Sequence, residues 1–309
     1  MTHYYKSLYG PIPSRRLGQS LGISPILKKT CNYACIYCML GPTDRMTNEL
    51  VNDIPVETIL DELDHFLNQN VDFDVVSIVG EGEPTLYRDL ILLIEGIRAR
   101  TEKPIALITN GALLNHPPVY QACLLVDIMM PSVNAYDLAT FKKINRPHKD
   151  IDFMQITESL IQFSQQFTGQ LWLECMLVEG VNDSTQYLVA YREFLKPIKY
   201  DRLYINTPVR PPTESYAQRI SSAKMQEAIT VLNGIGIEDN QDNYYYSDIE
   251  DNIEALYNII RRHPMNHFEI THFLQNRQCA NIEEVFSSLQ NNPQINIILY
   301  RGLTTYRFK

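Results

Sequence analysis

Apolar residues in this chain fall into short unbroken runs that alternate with longer stretches where they recur every three or four positions. The short runs predict strands near Leu21–Leu27, Val75–Gly80, Ile105–Thr109, Val126–Met130, Leu171–Leu177 and Arg202–Asn206. The longer stretches predict helices over Val56–Leu67, Tyr87–Arg100, Pro118–Cys123, Leu138–Ile144 with Phe153–Phe167, and Gln186–Leu195. Strand and helix in alternation predict an α/β fold with a parallel sheet and right-handed crossovers. In such folds chemistry gathers in the loops that follow the C-terminal ends of the strands.

The pattern changes after Tyr244-Tyr245-Tyr246 and the acidic Asp248-Ile249-Glu250-Asp251. Three helices, Ile253–Arg262, Phe268–Leu274 and Ile282–Leu289, then a hairpin of Ile295–Tyr300 and Thr304–Phe308 turning at Arg301-Gly302, suggest a small winged-helix-like domain. The expected division is 1–246 and 247–309. From Glu250 to Lys309 acidic and basic residues balance at six each. A DNA reader carries basic and amide side chains on its third helix, whereas this one opens Asn281-Ile282-Glu283-Glu284. DNA is therefore disfavoured, and a peptide, a protein partner or the larger domain itself suits the charges better.

At 309 residues and 45% hydrophobic, the chain can bury a sizeable core. Its net charge of −9 weighs against a generally basic nucleic-acid surface. A local basic patch is compatible with it: Ser14-Arg15-Arg16 and Lys28-Lys29 flank the first cysteines, as a phosphate contact or as a solvated turn. No run of eighteen apolar residues occurs, and Met1-Thr2-His3-Tyr4-Tyr5-Lys6 lacks a signal-type apolar stretch, so no membrane span and a cytoplasmic location are expected. Six cysteines do not make a disulfide scaffold at this length. Cys123, Cys175 and Cys279 stand singly and read as core thiols.

The other three form the run Cys31-Asn32-Tyr33-Ala34-Cys35-Ile36-Tyr37-Cys38, which puts three soft thiolates on one short loop. Thiolates select iron–sulfur clusters, and three of them leave one iron of a four-iron cluster for a ligand that is not protein. A structural zinc site is the alternative, but zinc normally closes with a fourth Cys or His nearby, and His65 is well along a predicted helix. The predicted strand ends supply the rest. Gly80-Glu81-Gly82-Glu83-Pro84 follows the second strand, Thr109-Asn110-Gly111 the third and Pro131-Ser132 the fourth. Alternation on the fifth strand puts Trp172, Glu174 and Met176 on one face, toward the lumen, and a carboxylate in so apolar a strand makes Glu174 a candidate for ligand binding or for a structural pair. Asn206 ends the sixth strand before a proline-stiffened loop in which Arg210 is suited to clamp a carboxylate or phosphate.

With Tyr37 before its third cysteine and Gly82-Glu83-Pro84 downstream, the chain resembles the radical S-adenosylmethionine (SAM) superfamily. The resemblance implies a partial (β/α)6 TIM-like barrel and a [4Fe–4S] cluster on Cys31, Cys35 and Cys38 with SAM on its unique iron. It further implies reductive cleavage of SAM to a 5′-deoxyadenosyl radical that abstracts a substrate hydrogen, fed by an electron donor such as flavodoxin or ferredoxin. SAM contacts would come from Tyr37, from Gly82, Glu83 and Pro84 toward the methionine amino group, and from Asn110 and Ser132, with Glu174 and Asn206 as further candidates. Two departures stand out. Ser132-Val133-Asn134-Ala135 replaces a Ser-Leu-Asp-Ala pattern, removing a carboxylate, and Met39-Leu40 stands where Gln-Leu-Gly is expected.

The opening Tyr9-Gly10-Pro11-Ile12-Pro13-Ser14-Arg15-Arg16-Leu17-Gly18-Gln19-Ser20-Leu21-Gly22, with Asn145-Arg146-Pro147-His148 and Asn206-Thr207-Pro208-Val209-Arg210-Pro211-Pro212, is similar to the group related to wyosine-base synthases of tRNA. That likeness favours tRNA as substrate, while the acidic balance and neutral C-terminal region favour a peptide or protein. Arg15, Arg16, Arg146, His148 and Arg210 are the substrate-side candidates. No second cysteine cluster follows. A reading of another class is a non-catalytic iron–sulfur sensor with the C-terminal domain as output.

Overall fold

The computed structural model describes residues 5–237, 245–247 and 249–309. Tyr244 and Asp248, part of the expected boundary, lie outside the described residues.

The chain opens with an antiparallel pair, β1 (Leu8–Ser14) and β2 (Gly18–Ile23), of which only the second was expected. Pro11 and Pro13 argue against a strand at β1, and they are accommodated because β1 is the sheet edge. The start of β1 is fastened by buried Glu62, whose carboxylate accepts the N–H groups of Lys6, Ser7 and Leu8 at 2.8, 2.8 and 3.1 Å. After the cysteine loop, whose short strand β3 (Thr30–Cys31) pairs with β4 (Arg45–Met46), come α1 (Val56–Leu67), β5 (Val75–Ile78), a 3-10 turn (Pro84–Leu86) and α2 (Leu90–Arg98). Then follow β6 (Ile105–Thr109), α3 (Pro117–Cys123), β7 (Ile128–Pro131), α4 (Leu138–Asn145), α5 (Phe153–Gln166), β8 (Gln170–Met176), α6 (Thr185–Leu195) and β9 (Arg202–Asn206). Two elements not expected complete this part: α7 (Ser222–Leu232), capped by the Ser221 side chain, and β10 (Ile235–Gly236).

The strands form one sheet in the order β1-β2-β5-β6-β7-β8-β9-β10, every pair parallel except the first. This is the expected α/β architecture, a partial barrel. Helices cover its outside with apolar stripes, such as Val56, Ile59, Leu63 and Phe66 of α1. Inside, Val75, Ala106, Met130, Trp172 and Tyr204 fill the end of the lumen where the strands begin. The opposite end, at the strands' C-terminal ends, is where a cavity remains.

The remaining elements are α8 (Asn252–Arg262), β11 (Met265–Asn266), α9 (His267–Asn276), α10 (Ile282–Asn291), β12 (Ile295–Tyr300) and β13 (Leu303–Phe308). Their antiparallel sheet has the order β11-β13-β12 and encloses a core of its own, including Leu256, Ile259, Phe273, Leu289 and Tyr306. This module is bonded to the barrel at several points. Tyr300 Oη donates to the Pro208 carbonyl at 2.8 Å, Asn258 Nδ2 to Tyr5 O at 3.3 Å, and Arg307 Nη1 to the Met39 and Pro211 carbonyls at 3.4 and 3.2 Å. No helix among the described residues is long and apolar enough to cross a membrane.

Candidate active site

The cysteine loop is positioned by backbone hydrogen bonds on two sides. Toward the sheet, Lys29 N donates to Glu81 O at 2.5 Å and Glu83 N to Thr30 O at 3.0 Å, which lays the Gly80–Pro84 loop against the residue before Cys31. Gly82 is required there, because a Cβ would run into the Thr30 carbonyl oxygen. On the other side, Ala34 N donates to Asn145 O at 3.0 Å, Ile36 N to Ile144 O at 2.9 Å and His148 N to Asn32 O at 2.8 Å. Asn145-Arg146-Pro147-His148 is thus a strap behind the loop. Arg146 caps α4 in the left-handed conformation and pairs outside with Glu214 at 2.5 Å and Tyr216 Oη at 2.9 Å. His148 Nδ1 lies 3.5 Å from Asp150. Neither side chain is among those that line the cavity of the cysteines.

The three cysteines line a cavity of about 380 Å³ together with Tyr37, Gly82, Glu83, Asn110, Ser132, Glu174 and Asn206. Pro84 does not reach it; it starts the 3-10 turn, where its fixed φ and missing N–H suit the first position. Among the described residues, no group of three or more His, Cys, Asp or Glu converges to hold a single metal ion. A multi-iron cluster has no need of such convergence, since each cysteine binds a different iron.

Burial pushes all three thiols up: Cys31 well above the usual thiol range, with Glu83 adding to it, Cys35 to about 12, and Cys38 upward against the favourable charges of Arg307 and Lys29. Thiolates are the ligating form, so this site calls for a strongly cationic occupant. Donors are already aimed at the sulfurs. Asn145 Nδ2 lies 3.4 Å from Cys35 Sγ, Tyr33 N 3.3 Å and Asn110 Nδ2 3.8 Å from Cys31 Sγ. Tyr37 Oη also bonds Cys35. Asn134, where a carboxylate was expected, donates from Nδ2 to Tyr37 Oη at 2.7 Å and accepts the Met176 N–H at 2.9 Å.

Glu83 is buried, which pushes its carboxyl up, while hydrogen bonds from Thr109, Thr85 and the Asn110 N–H pull the other way. Oε1 takes Thr85 N at 3.0 Å, Thr85 Oγ1 at 2.6 Å and Thr109 Oγ1 at 2.5 Å; Oε2 takes Asn110 N at 2.7 Å. Oε2 takes a single donor against three on Oε1, so it is the oxygen with a lone pair left for one further donor. A cationic ammonium there would also relieve the repulsion of the Cys31 thiolate by Glu83.

Deeper in the lumen Arg16 pairs with Glu174, and Asn206 Nδ2 lies 3.5 Å from Glu174 Oε1. Arg210 does clamp a carboxylate, but that of its own chain: its fork meets Glu269 of α9 at 2.9 and 2.7 Å. Among the cavity residues that escaped the sequence reading are Arg262 and His263 at the end of α8. Arg262 Nε lies 3.3 Å from Glu81 Oε2, beside the glycine loop. Nothing local marks them. Of the basic patch, Lys29 is buried, and Lys28 donates to the Lys309 carbonyl at 2.8 Å over the Phe308 ring, so the four cations do not form an open phosphate-binding face. Among the single cysteines, Cys123 and Cys175 are buried as expected and Cys279 is only half-buried.

The family model for the radical SAM superfamily matches residues 26–191, more than half of the chain, from the loop before the cysteines into α6. The chain is 35% identical over 309 residues to a UPF0026 protein of Helicobacter pylori, covering 97% of this chain and 96% of that one. It is 39% identical over 223 residues to a Brachyspira hyodysenteriae protein named GTPase Obg, covering 72% of this chain but spanning only 33% of that relative. Among solved structures it is similar to TYW1 with a lysine–pyruvate adduct bound (TM-score 0.55, 16% identity, 74% of this chain and 79% of that one). It is equally similar to Streptococcus suis SuiB bound to precursor peptide SuiA (TM-score 0.55, 16% identity, 74% and 51%). At such identity the structural likeness shows a shared fold alone. The family match falls on the segment that carries the three cysteines and the strand-end loops around their cavity, and the chain accordingly belongs to the radical SAM superfamily, a superfamily of enzymes that use an iron–sulfur cluster and SAM.

Proposed function

We propose that this chain holds a [4Fe–4S] cluster on Cys31, Cys35 and Cys38 and, with SAM bound beside it, modifies a substrate by radical chemistry. The observation that carries the reading is the meeting of three half-buried thiols with Glu83 and Asn110 in one cavity at the strand ends. When bound, the cluster and SAM supply an electron and a 5′-deoxyadenosyl radical that removes a substrate hydrogen. The chain's own residues bind and orient. Asn145 and Tyr37 donate to Cys35, spreading thiolate charge. Glu83, locked by the two threonines and the Asn110 N–H, offers its remaining acceptor position to the methionine ammonium. Ser132 and Asn110 line the same cavity, and the paired Arg16 and Glu174 supply polar groups in its wall.

A small or slender substrate is favoured over folded tRNA, because the cations nearest the cluster are inside the cavity or under the C-terminal module instead of on an open face. We place the protein in the cytoplasm, where three accessible ligating thiols stay reduced. The module, winged-helix-like in its order of helices and hairpin, serves as a wall of the site. A sensor with the module as its DNA-binding output is disfavoured, since α10 begins with Glu283 and Glu284 and the Arg307 strand is spent on the barrel.

The test is anaerobic reconstitution with iron and sulfide, then dithionite and SAM, with 5′-deoxyadenosine and methionine measured. Both are expected from the native chain and neither from Cys35→Ala. A reconstituted cluster that leaves SAM intact with every candidate substrate added would overturn the proposal.

A further inference from the structure

Four of the eight residues from Lys142 to Lys149 are Lys or Arg, in a chain whose net charge is −9. All four, Lys142, Lys143, Arg146 and Lys149, are exposed. Arg146 is matched by Glu214, and among the described residues no carboxylate pairs with Lys142, Lys143 or Lys149. The acids nearest in sequence are engaged elsewhere: Asp137 and Asp152 cap α4 and α5, and Asp150 lies 3.5 Å from His148 Nδ1. Lys142 and Lys143 stand in the last turn of α4, where cations suit the helix dipole, but that accounts neither for Lys149 nor for where the patch lies. It lies on the strap behind the cysteine loop. Asn145, next to exposed Arg146, points its Nδ2 at Cys35 Sγ from 3.4 Å, and Pro147 bridges to Tyr33 between the first two cysteines. The loop's other sides are taken, one by the cavity and one by Arg307 of the C-terminal module, which donates to the Met39 carbonyl.

We infer that the end of α4 and the strap after it, with Lys142, Lys143 and Lys149, form the docking surface for a small acidic redox protein that passes one electron to the cluster. The transfer moves one electron and no atom, the carrier being oxidised by one as the cluster is reduced by one. An acidic carrier is repelled by the chain's overall charge and attracted here, so the patch orients the encounter as well as strengthening it. Docking on the strap brings the carrier within one residue of a side chain that touches a ligating sulfur, and it leaves the cavity free for SAM and substrate. Electron-transfer encounters bury little surface, below about 1,200 Å² in total, so one short helix and a strap suffice. The partner is a protein instead of a nucleic acid. Three unmatched cations among Asp137, Asp150 and Asp152 are too few and too mixed for a phosphate backbone, and exposed Leu138 and Ala139, one turn before Lys142 and Lys143 on the same faces, interleave apolar surface with the charges.

The inference rests on the radical SAM reading for the purpose of the electron, but docking is measurable without SAM turnover. Reconstituted full-length protein is titrated anaerobically with a flavodoxin at low and moderate salt, and the bleaching of cluster absorbance by the same flavodoxin, reduced beforehand, is timed. The triple variant Lys142→Gln, Lys143→Gln, Lys149→Gln should bind flavodoxin tenfold or more weakly and be reduced by it correspondingly more slowly, while dithionite reduces its cluster at the native rate. A control triple, Arg192→Gln, Lys196→Gln, Lys199→Gln at the far end of α6, removes the same charge and should behave as the native protein does. The inference fails if flavodoxin does not bind the native protein, if the strap variant binds and is reduced as the native protein is, or if the control triple weakens binding equally, which would show a net-charge effect. It also fails if the strap variant loses affinity for unfractionated tRNA but not for flavodoxin, which would make the strap an RNA contact. Failure of dithionite-driven SAM cleavage in the native protein would refute the reaction, while the binding comparison of the two variants would still decide the docking surface.

Discussion

Arg210, in the loop after the sixth parallel barrel strand, grips both carboxylate oxygens of Glu269, in the C-terminal module, across 59 positions of sequence at 2.9 and 2.7 Å. Tyr245 Oη adds a bond to Glu269 at 3.1 Å. Burial alone would push the Glu269 carboxyl up, but the charge and hydrogen bonds of Arg210 outweigh it and hold the group at about 2. An unfolded glutamate titrates near 4.3, so this pair's contribution is complete above about pH 4.3 and lost as the pH falls toward 2. Arg210→Met strands a buried carboxylate and should cost roughly 3–5 kcal/mol in chemical denaturation, with the loss smaller at acid pH. A cost below 1 kcal/mol would mean that the pair does not hold the module.

His263 sets a second pH limit. Burial and the nearby Arg210 and Arg15 lower its imidazole to about 3, against the opposing charge of Glu269. Unfolded histidine takes up a proton near pH 6.5, so below that value protonation favours the unfolded chain, and stability drains as the pH falls from about 6.5 toward 3. Each pH unit within that window is worth at most about 1.4 kcal/mol. Melting temperatures of His263→Gln should therefore fall less steeply than the native ones below pH 6.5. Parallel curves would show that His263 is solvated.

Glu83→Gln tests the locked carboxylate. The amide turns one acceptor into a donor facing either the Thr85 and Thr109 donors or the Asn110 N–H, and leaving such a group unmatched costs about 1–3 kcal/mol. Stability should fall by that order, and SAM affinity, measured by equilibrium dialysis on reconstituted protein, by tenfold or more. Unchanged affinity would remove Glu83 from the SAM contacts.

Asn134→Asp reverses a hydrogen bond. The amide now donates to Tyr37 Oη, which leaves the phenolic proton for Cys35; a carboxylate would draw that proton to itself. Because hydrogen bonds to cluster sulfurs raise reduction potential, the variant should have a more negative potential in a redox titration followed by electron paramagnetic resonance. Tyr37→Phe should shift it the same way. Equal potentials in all three proteins would show that this bond does not tune the site.

The strands Ile105–Thr109 and Arg202–Asn206 were legible to the residue, since buried parallel strands are short apolar runs with sharp polar ends. Val75–Ile78 is shorter than expected because the two glycines after it belong to the loop that meets Thr30. The edge strand Leu8–Ser14 was hidden by its prolines, and Ser222–Leu232 by polar residues on an outer face. Candidate residues on strand ends reached the cavity, because parallel strands bring their C-terminal ends to one side. Candidates judged by residue type are spread out: Arg15, Arg16 and Arg210 line the cavity, Arg210 paired with Glu269, whereas Arg146 and His148 lie behind the cysteine loop.

The cysteine spacing, the order of strands and helices and the loops that carry the chemistry were determined by the sequence itself, because periodicity, capping and ligand spacing act over a few residues. Which cations serve the site was decided only by the tertiary structure. Arg16 finds Glu174, Arg262 finds Glu81, and His263 comes to line the same cavity as Arg15 through packing between segments more than 150 residues apart. Those partners are selected by the folded chain as a whole, since the cost of burying each charge depends on what the rest of the fold brings beside it.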